Sequence, residues 1–144
     1  MPMTIVMTKI LASLSILAIL AFAGTASAAS VASSGNFHVA AGKVGCHFVV
    51  YGPVSAGLGS SATIRCERYS DHTFMSISAA GKITETHSGT KVAPGTAGHS
   101  GTWFRRYTTK VSCQILGYGN QPGVTCAYNA KSFVLGPGGA IIYR

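Results

Sequence analysis

At 144 residues the chain is long enough for one ordinary domain, and 11 lysines and arginines against 3 acids give it a formal charge of +8. Hydrophobic residues make up 47% and charged residues only 10%, which excludes a disordered polyelectrolyte. No repeat and no heptad period runs along it, so solenoids and coiled coils are excluded as well.

Residues 10–22 form an apolar run broken only by Ser13 and Ser15, with Lys9 before it and Gly24-Thr25-Ala26-Ser27-Ala28 after it. A positive start, a short apolar stretch and a small-x-small end are the three parts of a secretory signal peptide. The run is too short to span a hydrocarbon core of ~30 Å. Residues 1–28 are therefore expected to be a signal peptide cleaved after Ala28, and Met7-Thr8-Lys9 would also serve as its start. Removing Lys9 leaves 10 basic and 3 acidic residues, so the mature charge is +7.

Residues 29–36 are small and polar and read as a flexible leader. From there, residues 37–144 read as a single β domain, because short alternating runs are separated by Gly, Pro and Asn. Val44, Cys46, Phe48 and Val50 share one face of a strand. Ala62, Ile64 and Cys66 alternate with Thr63, Arg65 and Glu67. Residues 75–79 and 83–86 are a third and fourth strand joined by a tight turn at Ala80-Gly81-Lys82. Residues 88–101 are the longest loop signal in the chain, and long loops in compact domains are often functional. Residues 102–107, 110–116, 124–128, 132–135 and 140–143 complete the strands. The expected fold class is all-β, a small disulfide-stabilised antiparallel sandwich or partly closed barrel.

All four cysteines, Cys46, Cys66, Cys113 and Cys126, fall in the exported part and on the apolar face of a strand. An even number behind a signal peptide reads as two disulfides formed in an oxidising compartment. Pairing neighbours, Cys46–Cys66 and Cys113–Cys126, would staple two successive hairpins and is the expected arrangement. A bridge between the halves, such as Cys46–Cys126, is the alternative.

Asn36-Phe37-His38-Val39-Ala40-Ala41-Gly42-Lys43-Val44-Gly45-Cys46, followed by Ile64-Arg65-Cys66-Glu67, resembles the opening of a family of small exported actinobacterial proteins grouped as a domain of unknown function (DUF6636). That family's pattern is similar to Phe-x-x-Pro-Ser-Gly-Asn-Ile-Gly-Cys and then Leu-Arg-Cys-Asp/Glu. Cys113, Gly123-Val124-Thr125-Cys126 and Phe133-Val134-Leu135 match its C-terminal half in order. Ala40-Ala41-Gly42-Lys43 departs from the Pro-Ser-Gly-Asn segment, and residues 70–107 match only in patches. The resemblance implies an exported, disulfide-paired β domain and brings no activity with it.

Catalytic chemistry has little to work with. Glu67, Asp71 and Glu85 are the only carboxylates. Nothing places Glu67 and Asp71 across a cleft, as paired-carboxylate glycosidases require, and both read as solvated partners of Arg65 or Arg68. Gly98-His99-Ser100-Gly101 is superficially protease-like but lacks a buried acid to orient the histidine, and reads as loop. His38, His47, His72, His87 and His99 have no metal-ligand spacing. No metal and no cofactor are expected. One enzyme reading stands as an alternative, a small secreted ribonuclease-like hydrolase using Glu85, His87 and Arg105 or Arg106 as base, acid and phosphate-binding cation.

The binding candidates are Trp103, Arg105, Arg106 and Tyr107. On a strand, Trp103, Arg105 and Tyr107 would share one face and could stack on sugars or bases while the guanidinium meets an anion. The competing reading makes the aromatics core. The surplus of positive charge attracts polyanions without any motif. Its basic residues are dispersed, so no specific nucleic-acid groove is indicated. The expected role is a secreted, non-enzymatic module that binds an anionic envelope polymer or another exported protein. A secreted toxin or inhibitor is a further alternative.

Overall fold

The computed structural model describes residues 30–97, 103–116 and 123–144, and the expected signal peptide and His99 lie outside them. The alternating runs become β1 (Val31–Val39), β2 (Val44–Tyr51), β3 (Ser61–Arg68), β4 (Thr73–Ile77), β5 (Ile83–Thr86) and β6 (Thr96–Ala97), then β7 (Trp103–Arg106), β8 (Val111–Leu116), β9 (Gly123–Tyr128), β10 (Lys131–Gly136) and β11 (Gly139–Tyr143). They build two sheets, ordered β5-β4-β3-β2-β1-β6 and β11-β10-β9-β8-β7. Every pairing is antiparallel except that of the two-residue β6, which lies parallel to β1 at Phe37 and His38. The sheets stack as an open sandwich and do not close into a barrel. Among the described residues no helix is long and apolar enough to cross a membrane.

Period-2 alternation decides which side chains meet between the sheets. Val44, Cys46, Phe48 and Val50 of β2 face Val111, Cys113 and Ile115 of β8, Val124 and Cys126 of β9, and Phe133 and Leu135 of β10 in one buried core. Each disulfide joins residues directly opposite in the register, Cys46 with Cys66 and Cys113 with Cys126. Closing loops with sequence separations of 20 and 13 residues stabilises the fold by about 3 kcal/mol per bridge. The neighbour pairing is the one formed.

Two expectations are corrected. Residues 31–36, read as part of a leader, are the first two thirds of β1 and pair with β2 from Val31↔Tyr51 onward. Their side chains carry no apolar pattern, but the backbone amides and carbonyls pair whatever the side chains are.

The second correction concerns Glu67, expected in solvent and found fully buried. It does lie on the outer face of the first sheet, as alternation dictates. Residues 87–95, the first part of the long loop, cross that face from β5 towards β1 and cover it. The Asn36 side-chain amide donates to the Ala93 carbonyl at 2.9 Å, and the Tyr69 hydroxyl donates to the Val92 carbonyl at 2.6 Å. The Val92 amide donates to Glu67 Oε2 at 2.6 Å, and His72 Nδ1 lies 2.9 Å from Oε1. Phe74 is buried beneath this strap and Val92 is the strap's own buried side chain, both outside the main core. Gly45 is required opposite Glu67, because a Cβ there would overlap the Tyr69 hydroxyl.

Candidate functional site

The strand chosen from sequence divides its residues in a different way from a recognition platform. β7 is the edge of the second sheet. Tyr107 is 1% exposed and belongs to the core, so it cannot stack on a ligand. Arg105 pairs in register with Cys113 and so turns towards the core side, where its guanidinium lies 4.4 Å from the Phe48 ring centroid and 5.0 Å from that of Tyr107. Those rings, with centroids 4.9 Å apart, engage the guanidinium at the sheet edge, although the residue itself stays exposed. An inward-turned charge on an edge strand also blocks strand addition. Phe104 and Arg106 face outward and are exposed. Trp103 opens the strand, and its side chain lies outside the described residues.

Of the hydrolase residues, Glu85 and His87 come together on the first sheet, whereas Arg105 and Arg106 lie on β7 of the second. His87 Nε2 lies 3.4 Å from Glu85 Oε1, and His87 Nδ1 lies 3.5 Å from Thr73 Oγ1. Glu85 on β5, His87 just after it and Thr73 on β4 lie at the far side of the first sheet from β2, on whose Phe48 Arg105 is stacked. Among the described residues no three His, Cys, Asp or Glu side chains gather as a metal site.

Charge is instead sorted between the two ends of the sandwich. At one end, where β3 finishes and β4 begins, Arg68 holds Asp71 in a two-pronged ion pair at 2.7 and 2.9 Å. That hydrogen-bonded guanidinium keeps the Asp71 carboxyl well below the usual carboxylate range. Arg68 also donates to the Gly136 carbonyl at 3.1 Å, joining the sheets. Glu67 is buried here, and Glu85 reaches the same end through His87 and Thr73. All three acids are thus at this pole. A hollow of about 490 Å³ lined by Gly42, Lys43, Tyr69, Ser70 and Pro137 lies beside them.

The opposite pole collects cations. The β4–β5 turn packs Gly81 against the Tyr128 ring, where a Cβ would clash. Beside that contact, Lys82 of the turn, Lys131 at the start of β10 and Arg144 after β11 line a cleft of about 290 Å³ with Gly81, Ile83, Ile142 and Tyr143. On the other side of Tyr128, Lys110 lies 5.9 Å from the ring centroid and borders a hollow of about 190 Å³ whose lining includes Ser60, Ser61, Thr108 and Thr109. No side-chain carboxylate lines either hollow. Residues 103–144 hold five cations, Arg105, Arg106, Lys110, Lys131 and Arg144, and no acid at all.

Lys82, Lys131 and Arg144 were not singled out from sequence, since their separation along the chain hides their convergence. The absence of any acid after Glu85 is the one signal that pointed there. Comparison of the chain with protein-family models, with curated proteins and with solved structures finds no match.

Proposed function

We propose that the protein is an exported, non-enzymatic binding module whose basic pole holds an acidic polymer of the cell envelope. The observation that carries this reading is the convergence of Lys82, Lys131 and Arg144 on one cleft, with Lys110 beside it and every acidic side chain at the other end. Charges gathered within a Debye length of ~8 Å act together on a polyanion, whereas dispersed ones are screened from one another. Two disulfides in the core require an oxidising compartment, which supports export together with the N-terminal signal pattern. The order of the cysteine-bearing segments, similar to that of the exported family noted above, points the same way. Of the residues first chosen, Arg106 keeps a place in the site, as an exposed cation on the outer face.

The test is retention of the oxidised protein on immobilised, isolated acidic envelope polymer across a salt gradient. Wild type is expected to be retained, and the variant Lys82→Ala/Lys131→Ala/Arg144→Ala to elute at clearly lower salt. A wild type that passes unretained, or a triple variant that elutes with it, contradicts the reading.

A further inference from the structure

We propose that the polymer is a linear polysaccharide of sparse negative charge, and that it runs from the basic cleft across the outer face of the second sheet along one register row. The proposal rests on the reading of the pole as a binding site and adds to it the ligand class and its path. Strand pairing sets Tyr143, Ser132, Ala127, Ser112 and Arg106 directly side by side on β11, β10, β9, β8 and β7. Their chain neighbours Phe133, Cys126 and Cys113 are buried, so this row faces outward. Four inter-strand gaps of ~4.8 Å make the row about 19 Å long.

The row has a definite chemical order. Tyr143 lines the cleft of Lys82, Lys131 and Arg144 and is 51% exposed, so its ring is open to the apolar face of a sugar. Ser132, Ala127 and Ser112 are short, which leaves a low floor with two hydroxyls able to donate and accept hydrogen bonds. Arg106 closes the row with an exposed guanidinium. Cations therefore stand at both ends with only neutral groups between. A duplex nucleic acid presents one charge per ~1.7 Å and would find no partner along the middle of the row. A chain of neutral sugars interrupted by occasional acidic groups matches cation, ring, hydroxyls and cation in turn. A free anion would need the cleft alone.

The experiment measures affinity for oligosaccharides of alternating glucuronate and N-acetylglucosamine, from disaccharide to decasaccharide, with a DNA duplex at the same salt as comparator. Affinity is expected to climb with length until the chain spans the row and then to level. Ser112→Val/Ser132→Val keeps strand-forming residues while removing the hydroxyls. It is expected to weaken the decasaccharide on the order of tenfold and to leave the disaccharide unchanged. Equal affinity for all lengths, or a double variant that binds the decasaccharide like wild type, overturns the row while leaving the basic cleft standing. Tighter binding of the duplex than of the decasaccharide overturns the ligand class. Binding of neither, in a protein also unretained on envelope polymer, removes both readings.

Discussion

Tyr107 buries its whole side chain against Phe48, yet its hydroxyl has no hydrogen-bond partner among the described residues. A buried unsatisfied hydroxyl costs about 1–3 kcal/mol. Tyr107→Phe is therefore expected to raise stability in urea by about 1 kcal/mol, and a loss of stability would contradict the packing described. Burial pushes the phenol well above its ordinary value, with Arg105 opposing in part. The neutral form is the one that the fold favours. Its contribution is complete below the unfolded value of ~10 and fades as pH rises above it. The phenylalanine variant should accordingly hold its stability further into alkali than wild type. Alternation alone left Tyr107 between ligand platform and core. Its neighbour Arg105 shares the inward face, and only the position of Phe48 on the other sheet shows what occupies that cation.

At the scale of elements, the cysteine hairpins were legible because each cysteine repeats the apolar phase of its own strand, and direct antiparallel register makes neighbours meet. The strap was not. Its residues 87–95 carry no periodicity, and Glu67 occupies a position that alternation assigns to solvent. What buries it is a crossing segment held by single hydrogen bonds from Asn36 and Tyr69 and by the Val92 amide on the Glu67 carboxylate. Glu67→Ala leaves that buried amide without an acceptor, a cost of about 1–3 kcal/mol that falls on the strap first. Hydrogen exchange of the Val92 amide is expected to accelerate sharply while that of β2 and β9 amides changes only with global stability. Unchanged protection at Val92 would show that the strap is held otherwise. β1 was missed for a related reason, since its exposed first half is specified by backbone pairing and not by side chains.

Over the whole molecule, the fold sorts a dispersed charge into two poles. The net charge could be read from composition, and the lack of acids after Glu85 from the order of the residues. The meeting of Lys82 with Lys131 and Arg144 could not, because it depends on β5 and β11 coming to the same side of the sandwich. The function proposed makes position, and not total charge, the source of polyanion binding. It is tested most directly by two variants of identical net charge, Lys82→Glu/Lys131→Glu at the basic pole and Lys43→Glu/Lys91→Glu at the opposite one. Their affinities for the acidic envelope polymer are compared at physiological salt. The basic-pole variant is predicted to lose binding about tenfold more than its counterpart, since each exposed lysine contributes up to about 1 kcal/mol and its reversal adds repulsion. Equal loss in both variants would mean that charge acts only in bulk and that the basic pole is no binding site.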